Sequence, residues 1–200
     1  MPRNHGPWII KASRIAYQNP WFKLREDAVI QPDGAHSTHV VIEDADGICA
    51  LALDNDNNLY LAREFKYGLG RHDLNAVGGG INPKEPSLKA AKRELKEELG
   101  ITAKKWISLG ITNSWTTLSN STSHLYLARD LTFGQTEHEG TESIQPHKIK
   151  FDQAVKMVFA NKISHAPTVV AIFKAREYLR NDKCQNPKFP PEVGRQINAK

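Results

Sequence analysis

The chain has 200 residues, 40% of them hydrophobic and 24% charged, with a formal net charge of +5. That length suits one domain, or one domain with an arm, and the composition excludes collagen, a coiled coil and a wholly disordered chain. The longest apolar stretches, 48–53 and 168–173, fall far short of the ~20 residues that a membrane span needs. No apolar segment follows the basic N-terminus as in a secretory signal, so a cytoplasmic location and no membrane partner are expected. The cation excess suits an anionic small molecule. The cations are scattered, not gathered in a stripe, which argues against nucleic acid.

In chain order, the first forty-odd residues read as extended, with the turn Gln31-Pro32-Asp33-Gly34 ending one strand. This stretch, 1–45, is read as a strand arm, 46–180 as the main domain and 181–200 as an irregular tail. Strands are expected at 39–42, 48–53 and 59–65, the last two joined through the polar knot 54–58. Cys49 lies in the apolar run 48–53 and reads as a core residue, whereas Cys184 lies in the tail; the pair makes no metal or redox motif. A Gly-rich segment, 78–80, precedes a helix over 86–99, with Pro86 in its first turn and Gly100 at its end. Strands at 106–111 and 124–128, a mobile loop over 131–145, and helices over 151–160 and 167–179 complete the order. Strands first, a helix between and helices last imply an α/β sandwich.

The chemistry lies around that first helix. From Gly79 the sequence runs five residues to Glu85, seven to Arg93-Glu94-Leu95, one to Glu97-Glu98, and one to Gly100-Ile101. At ~100° per residue, Glu94, Glu97 and Glu98 share one helical face, while Leu88, Ala91, Leu95 and Leu99 share another that can pack on a sheet. Glu94 and Glu98 are like charges four residues apart, which costs roughly 0.2–0.5 kcal/mol in an isolated helix. A divalent cation removes that repulsion, and clustered oxygen ligands suit Mg²⁺. Glu85 can reach back to the cluster, and Arg93 is placed to orient Glu97 with a charge-assisted pair.

Position for position this spacing resembles the Nudix box, and a chance match at all nine positions is on the order of 10⁻⁷ or less at ordinary residue frequencies. The resemblance implies an α/β/α sandwich around a mixed β-sheet with an N-terminal β-strand arm. It also implies hydrolysis of the diphosphate linkage of a nucleoside diphosphate joined to another moiety, with Mg²⁺ or Mn²⁺ as cofactor. Carried over by position, Glu94 and Glu98 are the principal metal ligands. Glu97 holds a further metal or its water, Glu85 supports them, and the Gly78 carbonyl is another ligand. The arm, the stretch 63–67 and the ending 166–179 are similar to the ADP-ribose pyrophosphatase branch, which implies a homodimer formed through the arm. Trp21, Phe22, Arg25, Lys66 and Arg71 are the candidates for holding base and phosphates. Core packing serves Trp21 and Phe22 equally well, and solvated surface charge serves Lys66 and Arg71.

In that branch the general base comes from an acidic loop, here 136–142, where Glu139 or Glu142 is the candidate beside the plain reading of a solvated loop. The chain departs from the branch at Asn75-Ala76-Val77, at Thr116-Thr117 and at Ser121, positions that shape the substrate pocket. Two alternatives belong with this reading. One is a Nudix hydrolase acting on RNA 5′ ends or dinucleotides. The other is a Nudix domain that senses a nucleotide without cutting it, against which all four box acids are present.

Overall fold

The computed structural model describes residues 2–136 and 144–181. They divide into two compact units, 1–46 with 113–122, and 47–112 with the residues from 123 onward.

The first unit is an antiparallel sheet of β1 (Arg3–His5), β2 (Trp8–Gln18), β3 (Phe22–Ile30) and β4 (His36–Asp44), in that order. Short polar side chains make its corners. Asn19 Oδ1 accepts from the N–H groups of Trp21 and Phe22 at 2.9 and 2.8 Å, and Asp33 accepts from the Ala35 N–H at 2.9 Å. The segment 113–122 joins the same unit, with the Ile42 N–H donating to the Leu118 carbonyl at 2.6 Å. Ile10 and Val29 are buried, but Ile9, Ile15, Tyr17 and Trp21 stay exposed.

The second unit holds β5 (Gly47–Leu53), β6 (Asn58–Lys66), a short 3₁₀ turn (Tyr67–Leu69), β7 (Arg71–Asn75), β8 (Val77–Gly80) and α1 (Ser87–Leu99). These are followed by β9 (Ile101–Thr112), β10 (Ser123–Phe133), β11 (Gln145–Lys150), α2 (Phe151–Phe159) and α3 (Ala166–Asn181). The sheet order is β11-β6-β5-β10-β9, with β7 paired to β6 and β8 to β5. β10 runs parallel to β5 and the remaining pairs are antiparallel, so the sheet is mixed.

Alternation along β5 explains the layers. Cys49, Leu51 and Leu53 enter a core with Phe151, Ala154, Ala171 and Ile172 of α2 and α3, while Ile48, Ala50 and Ala52 enter a second core with Ala90, Ala91, Leu95 and Leu99 of α1. The result is the expected α/β/α sandwich. Each large side chain fully buried this way contributes roughly 1.5–3 kcal/mol. Leu95→Ala, at the centre of the α1 contact, would cost about 2–5 kcal/mol.

Several expectations need correction. Leu131, Thr132 and Phe133 are no loop; they extend β10 against Ala103, Thr102 and Ile101. Gln145 opens β11, a strand that Pro146 hid from the sequence; it pairs on one side only, at the sheet edge where proline is tolerated. Residues 137–143 and 182–200 lie outside the described residues. Arg71–Asn75 and the Gly-rich Val77–Gly80 are also strands, paired with β6 and β5, because backbone bonds hold them where side chains give no period. Pro86 is the N-cap of α1, with φ −63° and ψ 139°, not its first residue. No described helix is long and apolar enough to cross a membrane.

Candidate active site

The box folds as strand, loop and helix. β8 brings Gly78-Gly79-Gly80 alongside β5, the loop carries Glu85, and α1 presents Arg93, Glu94, Glu97 and Glu98. Gly100 ends α1 in the left-handed region at φ 63°, its N–H donating to the Lys96 carbonyl at 2.9 Å. A Cβ there would come within 2.6 Å of the Gly134 carbonyl oxygen, so both backbone conformation and space require glycine.

Arg93 is the hub of the acidic face. Its Nε and Nη2 donate to the two Glu85 oxygens at 3.2 and 3.1 Å, and its Nη1 donates to Glu94 at 2.7 Å and Glu97 at 3.1 Å. Its Nη2 also reaches the Gly80 carbonyl at 3.2 Å, tying the helix to the glycine strand. The bonds from Arg93 hold the Glu85 carboxyl below its ordinary range, and the same contacts raise the guanidinium further still. Arg93 therefore pairs with Glu97 as its spacing predicts, and with Glu85 and Glu94 as well.

Gly79 explains how Glu94 is seated. A Cβ on Gly79 would lie 2.1 Å from the Glu94 carboxyl carbon, so the carboxylate occupies the hollow that glycine leaves against β8. Glu98, one turn further along the same face of the helix, is buried, 8% exposed. Burial first, and the Glu94 charge second, push its carboxyl up to about 8, although the Gly78 N–H donates to it and Lys66 stands near.

Glu98, Gly78 and Gly79 form one wall of a cavity of about 700 Å³. Lys66 and Arg71 are in its lining, Lys66 paired with Glu64. Trp21, Phe22 and Arg25 belong to the other unit. Trp21 is 78% exposed, Phe22 packs against Tyr17 with ring centroids 5.7 Å apart, and Arg25 is bound by Asp27 and Glu43. Glu139 and Glu142 fall outside the described residues. The cavity also holds residues that no motif announces, chiefly Asp73 on β7, Ser123 at the start of β10, and His165 before α3. The pairing of β7 with β6 and of β10 with β5, and the return of α3, bring them there.

Among the described residues, no three acidic, histidine or cysteine side chains converge on a single ion position, because Glu85, Glu94 and Glu97 turn toward Arg93. The donor set nevertheless fits a divalent cation. Carboxylate oxygens are the hard ligands Mg²⁺ takes, three of them share one guanidinium, and the Gly79 hollow holds Glu94 beside the cavity wall.

Comparison with known proteins agrees with this geometry. Residues 8–42 match the nucleoside diphosphate sugar hydrolase N-terminal domain, and residues 44–168 match the NUDIX domain. The chain is similar to an ADP-ribose pyrophosphatase of Bacillus subtilis, 24% identical over 156 residues that cover 76% of this chain and 84% of the relative. It is also similar to an ADP-ribose pyrophosphatase of Mycobacterium tuberculosis, 30% identical over 60% of this chain and 58% of the relative. The ADP compounds hydrolase NudE of Escherichia coli is 28% identical over 62% of this chain and 67% of that protein. A crystal structure of an ADP compounds hydrolase superposes with a TM-score of 0.77 at 21% identity, covering 90% of this chain and 95% of that one, and shares the fold. The chain belongs to the Nudix family of pyrophosphate hydrolases.

Proposed function

We propose that the chain hydrolyses the diphosphate linkage of ADP-ribose or a related nucleotide sugar, giving a nucleoside monophosphate and a phosphorylated sugar, and that it does so with Mg²⁺ or Mn²⁺. The observation that carries this reading is the Glu94 carboxylate seated in the Gly79 hollow, beside a cavity walled by Glu98 and lined by Lys66 and Arg71. The relatives named for ADP-ribose or ADP compounds support the substrate class.

Glu94 and Glu98 would hold the metal, with Glu97, Glu85 and the Gly78 carbonyl as further oxygen donors. When bound, the cation neutralises the diphosphate and lowers the pKa of a coordinated water. Lys66 and Arg71 bind the phosphate oxygens and leave the phosphorus open to in-line attack. Arg93 keeps Glu85, Glu94 and Glu97 in one cluster that would otherwise splay under mutual repulsion. Glu139 or Glu142 takes the proton from the attacking water. Trp21 offers an exposed indole for a purine base, and the exposed apolar side chains of β2 support a homodimer made through the arm.

A panel of nucleotide sugars, capped RNA and dinucleoside polyphosphates, each with Mg²⁺ and with EDTA, tests the reading. Turnover of a nucleotide sugar that EDTA abolishes and Mg²⁺ restores is expected. Full activity in chelator, or turnover of capped RNA alone, would overturn it.

A further inference from the structure

His165 precedes α3 in the loop after α2, is half-buried, and lines the same cavity as Lys66, Asp73 and Glu98. One edge of its ring is fixed. Nδ1 shares a 2.9 Å hydrogen bond with the hydroxyl of Thr168, which is fully buried and itself accepts from the Ala76 N–H at 3.0 Å. Ala76 lies two residues before Gly78, so this chain of contacts ties the ring to the strand end that carries the box glycines. The other nitrogen, Nε2, lies on the far edge of the ring.

The charged groups that act on this imidazole are Lys66, which adds to burial in opposing a second proton, and Asp73, which favours one; burial and Lys66 prevail and hold the ring below its ordinary range. A ring anchored by one edge offers the cavity a single hydrogen-bonding point, which is poorly suited to a diphosphate, the group proposed for Lys66 and Arg71. It is well suited to a hydroxyl, for which one ring nitrogen supplies either donor or acceptor. An anchored group of this kind also discriminates, because an analogue lacking the hydroxyl leaves a partly buried nitrogen unpaired.

We propose that His165 is a specificity-determining residue that hydrogen-bonds, through Nε2, a hydroxyl of the sugar beyond the diphosphate. This rests on the nucleotide-sugar reading above. ADP-ribose and ADP share a nucleoside diphosphate and differ by that sugar, so they are the probes, titrated calorimetrically into the full chain in EDTA. His165→Leu should weaken ADP-ribose about tenfold, the scale of one neutral hydrogen bond, and leave ADP within twofold. His165→Gln, which keeps a donor and an acceptor, should recover part of the loss.

The ring reports independently by ¹⁵N chemical shift. ADP-ribose should move Nε2 and spare Nδ1, and ADP should move neither. Equal weakening of both ligands, no weakening of either, a wild-type chain that binds ADP-ribose no better than ADP, or a ring unmoved by ADP-ribose would overturn the proposal. A wild-type chain that hydrolyses no nucleotide sugar in Mg²⁺ would instead remove the proposed function, while the two affinities still decide whether His165 reads the sugar.

Discussion

Among the described residues, two arginines gather carboxylates, and they do so to different ends. Arg25, on β3, forks onto Asp27 of its own strand at 3.0 Å from both Nε and Nη2, and its Nη1 pairs with Glu43 of β4. Arg25 sits opposite Val41 in the antiparallel register, which makes Glu43 its diagonal neighbour on the same face. Asp27 is 2% exposed, so one cation closes a buried pair and stitches two strands. Arg93 instead faces three carboxylates from a loop and a helix, with a fourth, Glu98, in the cavity wall. One charge cannot balance three. The first cluster sets two carboxylates against Arg25, with the Arg3 charge also acting on Asp27, whereas the second keeps a larger surplus of negative charge that a divalent cation would neutralise.

If that contrast is right, removing charge from the second cluster should stop chemistry without unfolding the chain. Glu98→Gln keeps shape and an oxygen but loses the ionisable group. We expect kcat to fall by about 10²–10⁴-fold, the scale of one electrostatic stabiliser, with the thermal midpoint little changed. Glu177→Gln, on an exposed part of α3, should alter kcat less than twofold. Equal losses at both positions in a steady-state assay would erase the distinction.

Gly79→Ala sharpens the same contrast through geometry. The new Cβ would overlap the Glu94 carboxylate, and the cheapest relief is for that flexible side chain to swing away. Activity should drop at least about tenfold, as a misplaced ligand does, while stability shifts little because no backbone atom is displaced. A large fall in thermal midpoint with full specific activity would contradict the seating of Glu94.

How legible this was in the sequence follows from what kind of order each part uses. The box was readable because a helix turns sequence spacing into a shared face, so Glu94, Glu97 and Glu98 could be grouped from their intervals. The sandwich was readable from the order of the elements, strands first, a helix between and helices last. β8 was not, since a strand of Val77 and three glycines is held by backbone bonds to β5 and has no side-chain period. Nor was the far wall of the cavity. Asp73, Ser123 and His165 are spread over more than ninety residues and meet only through sheet pairing and the return of α3. Arg25 reads as a partner for phosphate, and its pairs with Asp27 and Glu43 come into view only in the structure.

Arg25 offers the next test. Arg25→Leu leaves Asp27 buried without its cation, and breaking such a pair typically costs about 3–5 kcal/mol. Denaturant unfolding should register a loss of that order, slightly lessened by the partial exposure of Arg25. Its KM for ADP-ribose should stay within twofold of the wild type where the variant is folded. A tenfold rise in KM with unchanged stability would return Arg25 to the substrate site.

The smallest effect expected concerns acid. Burial alone would raise the Asp27 carboxyl, but hydrogen bonds from Arg25 and Ser13, with the Arg25 charge, outweigh it and leave Asp27 below its ordinary range. A carboxyl depressed on folding binds protons more readily in the unfolded chain. Its contribution is therefore whole above the unfolded value, near pH 4, and drains away as pH falls through the folded value. Asp54 and Glu85 are depressed too, so the wild-type curve alone would mix three groups. Comparing wild type with Asp27→Asn separates them, because the variant keeps the other two carboxyls and cannot titrate at 27. The stability gap between the two chains should be constant from pH 7 to 5 and narrow steadily below pH 4. Because a tenfold difference in proton affinity between folded and unfolded chains corresponds to about 1.4 kcal/mol, the narrowing should be readable by urea unfolding at four or five pH values. A gap that stays constant down to pH 2, or widens, would mean that the Arg25 cluster does not hold the Asp27 charge, and the contrast between the two arginines would lose its structural half.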